Sequence, residues 1–414
     1  MLAKKIVFLL VLYSGVCPLL FADSVYRNDT GANGTTGWAL SYRYQRHLWE
    51  TTDGTLAMVI QQCDSTNGLY LELYRSTNSG QFWGNPVLQI DDYPGYISDG
   101  VLDDDNNLHL VLSCQGDDTN GSVKYCVMTY SSLLQTWTAL SKTTALTATG
   151  ERQFTRASLA IDSEGVVWIA VRRRDVSSDN FYVEIYYLDS GIWHEADELA
   201  TENDKSKKNP KIFAFNDGTE DKMGCVVHDQ DGSNQYKRFY YREDDSDPDE
   251  AWTNGGSKTM NNYYVDDKGT HWCVIPDDDG RLHLVYQDKN ASGEERMYYS
   301  VITSASWSTP YAVTPAVGHY CALAQDGTDL YLFNSWRDEN HPTDPYLRTR
   351  IFYRSKPLSS GPWTSWTLLS PASDYHEGHL RMTCTETFDI DIPMIFQESL
   401  TAPYDILYIL LTIS

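Results

Sequence analysis

Residues 74–83 read YRSTNSGQFW. An extended segment with a Tyr-Arg pair runs into a short polar turn, and a tryptophan closes it. Asn78 can fold its side chain back onto the backbone, Gly80 can take a positive φ, and Ser76 can add a local hydroxyl bond. Trp83 then plugs the space between neighbouring sheets. The same Tyr-to-Trp unit recurs along the chain. Its tryptophans are Trp83, Trp137, Trp193, Trp252, Trp307 and Trp366, and its tyrosines are Tyr74, Tyr130, Tyr187, Tyr241, Tyr299 and Tyr353. Before each tyrosine comes an Asp/Asn/Gly turn followed by a strand-like run, as in DGTLAMVI, DDNNLHLVL, SEGVVWIAV, DDGRLHLVY and DGTDLYLF. The runs alternate or are β-branched, which is the period of strands in hairpins; no helical period is sustained over a useful length.

Four antiparallel strands repeated at this interval predict the blades of a β-propeller. The fold class is therefore all-β, a seven-bladed β-propeller with blades starting near residues 46, 96, 152, 207, 263, 318 and 375. The last blade has three strands, HLRMTCTE, DIPMIFQE and YDILYILLTI, and then the chain runs out. Its missing fourth strand is expected from the front, in GWALSYRY (37–44), so that the N-terminal strand joins the last blade and closes the ring.

Composition sets the setting. The N-terminus, MLAKKIVFLLVLYSGVCPLLFADS, pairs two lysines with a short apolar run broken by Gly15 and Pro18. It reads as a signal peptide over residues 1–22, cut after Ala22, ahead of a single domain at 23–414; the protein is expected to be secreted and not inserted in a membrane. Net charge is −25, which speaks against a nucleic-acid groove. The acidic clusters DDDNN, EDDSDPDE and DDDG read as solvated turns. HDQDGSN (228–234) is the best calcium-like string, and it lacks the bidentate glutamate of a complete loop. Of eight cysteines, Cys17 goes with the leader. The other seven sit singly in apolar runs, as small core residues do, although Cys114 and Cys126 could bridge in an exported protein. A monomer is expected.

In a four-stranded meander the loops alternate between two ends. Starts of first strands and ends of second strands share one end, around the central channel, where a ligand can be surrounded. First-strand starts supply Arg46 and His47, Tyr96, Arg152 and Arg156, Lys208 and Lys211, Tyr263, Tyr264 and His271, His319, and then Tyr375, His376, His379 and Arg381. Second-strand ends supply Arg172, Arg173 and Arg174, His228, Tyr286, Arg337 and His341. Seven of the ten histidines fall on this end of a strongly acidic protein. A cationic, imidazole-rich mouth suits an anionic ligand.

The repeat region resembles the BNR/Asp-box propellers, with Asn78 in the aspartate place of S-x-D-x-G-x-x-W. The segment YRYQRHLWETTDGTLAMV with LYRSTNSGQFW also looks like the first blade of a sialidase. That likeness would make Arg43 or Arg46 a carboxylate-binding arginine and Asp64 the acid of a glycoside hydrolase. GHYCALAQDGTDLYLFNSWRDENHP, with His319 and His341, and HEGHLRM, with His376, His379 and Arg381, resemble the layout of seven-bladed ulvan-type polysaccharide lyases. That resemblance implies a His/Tyr/Arg site acting on an anionic polysaccharide containing uronate. β-Elimination needs a cation or donor at the carboxylate, a base at the neighbouring proton and an acid for the leaving oxygen. The candidate catalytic residues are His228, Tyr264, His271, His319, His341 and His379. The candidate substrate-binding residues are Arg46, Arg156, Arg173, Arg337 and Arg381. This chemistry requires no metal or other cofactor, and the acidic turns leave room for a structural calcium ion. A sugar-binding propeller without catalysis is the remaining reading.

Overall fold

The computed structural model describes residues 20–27, 40, 45–64, 68–91, 96–114, 121–202, 208–231, 234–244, 247–248, 250–260, 271–303, 306–314, 318–337, 349–369, 382–388, 391–397 and 404–413. Among them there is no helix, and nearly every strand lies in an antiparallel meander. The sheet at 48–91 orders Leu48–Glu50, Leu56–Asp64, Gly68–Ser76 and Leu88–Asp91. An eight-stranded sheet follows. Its two halves, 96–146 and 152–202, are four-stranded runs joined by a single parallel bridge between Thr155 and Cys114. Further sheets span 209–260, 272–312 and 318–368. In the last sheet, Met382–Cys384, Asp391–Gln397 and Tyr404–Thr412 are joined by Leu20–Arg27, which pairs antiparallel with Tyr404–Thr412. The strand beside Tyr404–Thr412 is thus drawn from further upstream than 37–44; apart from Leu40, residues 37–44 lie outside the described residues.

Single aspartates, two of them in the acidic clusters DDDNN and DDDG, hold the turns between first and second strands. Asp277 Oδ1 accepts the amides of Asp279 at 3.1 Å and Arg281 at 2.8 Å. Asp103 does the same for Asp105 and Asn107, and Asp162 for Glu164 and Val166. Each is a carboxylate mimicking a backbone turn. Between third and fourth strands, the 76–83 turn closes similarly. Gly80 N–H donates to Ser76 Oγ at 2.9 Å, Phe82 N–H donates to Asn78 Oδ1 at 2.9 Å, and Gly80 sits at φ +76°.

Apolar clusters join each sheet to its neighbour. One spans Ala57, Leu73, Leu110 and Trp137; another spans Phe213, Phe239, Trp272 and Leu284. A third ties Leu48, Met58 and Trp83 to Ile395, Tyr408 and Leu410, so the earliest complete sheet packs on the last. The six cysteines whose side chains are described, Cys114, Cys126, Cys225, Cys273, Cys321 and Cys384, are buried and not disulfide-bonded. Cys114 and Cys126 both lie in the core between 48–91 and 96–146.

Two sheets carry the same polar staple. His283 Nδ1 lies 2.6 Å from Tyr299 Oη and its Nε2 3.0 Å from Asp277 Oδ2. His109 repeats this with Tyr125 and Asp103. The His283 side chain is 0% exposed and that of His109 13%. Burial lowers both imidazole pKa values, with the aspartate opposing. His283→Ala strands Asp277 and Tyr299 in the interior and is expected to cost about 2–4 kcal/mol, against about 1–2 kcal/mol for His109→Ala. Urea unfolding of the two variants checks the order. Because the folded-state pKa of His283 is depressed, its contribution is complete above the unfolded value of about 6.5 and is lost as pH falls through the folded value.

Candidate functional site

Side chains in or beside the first strands of four sheets meet at one place. Asp99 of Tyr96–Leu102 accepts the Arg46 backbone N–H at 2.8 Å and its Nε–H at 3.2 Å. It also accepts Ser158 Oγ–H at 2.7 Å and the Leu159 amide at 3.1 Å. Arg46 reaches the Leu159 carbonyl and lies 3.8 Å from Glu386. Lys211 Nζ is 3.1 Å from Glu386 and 3.9 Å from Asp99. Two cations and two carboxylates from four sheets therefore cancel at one place. Burial pushes the Asp99 carboxyl upward, but Arg46 and Lys211 more than offset it and hold it well below the ordinary carboxylate range.

A second group forms a belt across neighbouring sheets at the end where second strands finish. In the 209–260 sheet, Asn209 is opposite His228, and His228 is opposite Lys237. Residues directly opposite share a sheet face, so these three form one polar row beyond the apolar core of Val226 and Phe239. Arg156 reaches into the row and donates to Asn209 Oδ1. It does so from φ +57°, at a register shift between Thr155 and Ser158, where the strand Arg152–Ile161 bulges. On the other side, Lys237 Nζ lies 4.3 Å from the ring centroid of Trp272. Its burial drives the ammonium well below the usual lysine range, with Asp288 and nearby cysteines opposing. Next to Trp272, His271 Nδ1 is 2.7 Å from Gln287 Oε1, and its ring lies 5.2 Å from that of Tyr320. The amide oxygen is an acceptor, so Nδ1 carries the proton and Nε2 is the basic nitrogen.

The belt thus brings together Arg156, His228 and His271 from the sequence candidates, and adds Lys237, Trp272 and Tyr320. Arg46 sits apart, in the network around Asp99. Arg173 points into its own sheet: Glu184 and Glu198 hold it at 2.8 and 2.9 Å, above the Tyr182 ring at 4.0 Å. Both arginines already carry carboxylate partners, so neither is a vacant anion receptor. His319 and Arg337 lie in Gly318–Gln325 and Asp329–Arg337, with their side chains outside what is described, as is that of Asp64. Arg43, Tyr264, His341, His376, His379 and Arg381 lie outside the described residues. Lys237 was missed because only first-strand starts and second-strand ends were considered. The start of a third strand faces the same end, and its sequence signal is a lysine opening an otherwise alternating run, QYKRFYY. Among the described residues, no group of three or more His, Cys, Asp or Glu side chains could hold a metal. No helix there is long and apolar enough to cross a membrane.

No protein-family model matches the chain, and no curated protein sequence matches it either. Solved structures match in fold. The BP39L lectin from Burkholderia pseudomallei gives a TM-score of 0.57 at 13% identity, over 90% of this chain and 96% of the lectin. An ulvan lyase described as a new family of polysaccharide lyase, bound to -[GlcA(1-4)Rha3S]-, gives 0.55 at 11% identity, over 94% of this chain and 96% of the lyase. The Hadza microbial sialidase Hz136 gives 0.48 at 13% identity, over 82% and 72%. The class defined by fold is therefore an all-β propeller whose fold is similar to those of the ulvan lyase and the BP39L lectin.

Proposed function

We propose that this chain is an exported, seven-bladed propeller, closed by the part of Leu20–Arg27 that follows Ala22, that cleaves an anionic uronate-containing polysaccharide by β-elimination. The ring reading is supported by the packing of Trp83 and Leu48 against Tyr408 and Ile395. The observation that carries the reaction is the belt of Arg156, His228, Lys237 and His271, drawn from three neighbouring sheets. It offers a cation for the carboxylate and several proton carriers in a region dry enough to push a lysine ammonium well below its usual range.

The step balances within the substrate. A base takes the proton from the carbon beside the carboxylate, the carbon–hydrogen pair becomes a carbon–carbon double bond, and the glycosidic carbon–oxygen bond breaks. An acid then supplies the proton to the leaving oxygen. Arg156 is assigned to the carboxylate, whose charge grows as the proton leaves. His228 or Lys237 is the base, and His271, entering the step as the imidazolium with its second proton on Nε2, is the acid. Incubation with a panel of uronate polymers is expected to raise ultraviolet absorbance from the conjugated double bond. New reducing ends without that absorbance would instead indicate a sialidase-like hydrolase.

One observation favours a second reading, a sugar-binding propeller without turnover: Arg46 and Arg173 are spent on internal carboxylates. It predicts saturable binding of the same polymers with neither readout rising.

A further inference from the structure

A cleft of about 580 Å3 opens between the 48–91 sheet and the last sheet, at the end opposite the belt. Glu50 and Thr52 come from the turn after the strand Leu48–Glu50 and Ser79 from the 76–83 turn, while Phe388 and Asp391 flank the entry to Asp391–Gln397. Tyr408 lies between these turns. Its ring is pressed so closely on Gly80 that a Cβ there would collide with it, and it meets the Trp83 ring edge-on at 5.6 Å. Tyr408 is only 2% exposed. Even so, its hydroxyl has no hydrogen-bond partner among the described residues, and neither has Asp391 Oδ1. Burial, then Glu50 and Asp391, raise the phenol pKa, so the hydroxyl keeps its proton.

Two buried polar atoms without partners at one cleft are unusual in a folded protein and ask for a ligand that satisfies both. Among the described residues, no lysine, arginine or histidine lines the cleft, and two carboxylates do. An anion is therefore repelled, and the ligand must bring hydrogen-bond donors. The half-buried Phe388 ring adds an apolar surface beside the carboxylates. Donors on one edge and aliphatic C–H groups on a face describe a neutral pyranose. We propose that this cleft binds an uncharged sugar ring, with hydroxyls donating to Asp391 and Glu50 and a sugar oxygen accepting from Tyr408. The ligand differs in charge from the one assigned to the belt, and the proposal does not depend on that assignment.

Saturation-transfer NMR with the methyl glycosides of rhamnose, fucose, mannose, galactose and N-acetylglucosamine tests it, with methyl glucuronide as the anionic control. At least one neutral glycoside is expected to bind. Tyr408→Phe keeps the ring on Gly80 and removes only the hydroxyl; it should weaken that binding about tenfold, as should Asp391→Asn. Glu50 is exposed, so Glu50→Gln should fold normally and also weaken binding, which guards against a folding defect in the buried variants. Three outcomes overturn the proposal: no neutral glycoside binds, binding survives unchanged in Tyr408→Phe and Glu50→Gln, or methyl glucuronide binds as well as the neutral sugars.

Discussion

Replacing Asp99 by asparagine is expected to lower the free energy of unfolding by about 3–5 kcal/mol, because it removes one partner of a buried ionic network. Asparagine keeps the volume and can still accept from Ser158, so the loss isolates charge. What remains is Arg46 and Lys211 facing each other with Glu386 alone between them. Urea midpoints at constant m measure the loss. Adding Lys211→Met to Asp99→Asn should restore part of it, since the second change removes the uncompensated cation. A single-variant loss below about 1 kcal/mol would mean that the network does not hold the sheets together. The pH dependence has a fixed sign. The folded-state pKa of Asp99 lies below its unfolded value of about 3.9, so its contribution is present above that pH and lost as pH falls through the folded value. The variant should therefore show a flatter acid limb than the parent protein.

His228→Ala is expected to lower the rate of double-bond formation by about 10²–10⁴-fold on whichever uronate polymer proves active, the usual worth of a positioned base. Lys237→Met should lower it also, while keeping the stem over Trp272. Arg156→Lys discriminates roles. It keeps a cation but loses the planar fork, so it should raise KM and lower kcat together. If His228→Ala, Lys237→Met and Arg156→Lys all leave the rate intact on a polymer that the parent cleaves, the belt is not the reaction centre.

The architecture was legible because it is written locally. The Tyr-to-Trp interval and the Asp-Gly turns are short-range signals, and the turn carboxylates of Asp103, Asp162 and Asp277 bond within four residues of themselves. The chemistry was less legible because it is not local. Asp99 finds Arg46 and Lys211 across sheets, and nothing in the spacing of these residues announces the pairing. An acid inside the strand YISDGVL carries no outward sign that it will neutralise two bases. A count of basic residues at one end therefore overstated the charge available to a ligand. Arg173 repeats the lesson: its partner Glu184 sits in the next strand of its own sheet, and only the register brings the two together.

The bulge at Arg156 has its own consequence for how this gene could drift. The strand Arg152–Ile161 keeps two stretches of ladder with partners Arg172–Asp175 and Val167–Ala170, separated by the irregular step. Losing a single codon there would let the ladder run through without interruption. The pairs on either side, Phe154 with Arg173 and Ser158 with Ala170, would keep their partners, so Phe154 would stay in its cluster with Tyr125 and Tyr186 while the reach of Arg156 to Asn209 was lost. Deletion of Arg156 should therefore disturb the fold less than deletion of any other residue in this strand, so a library of in-frame indels would mark it as a local maximum in tolerance.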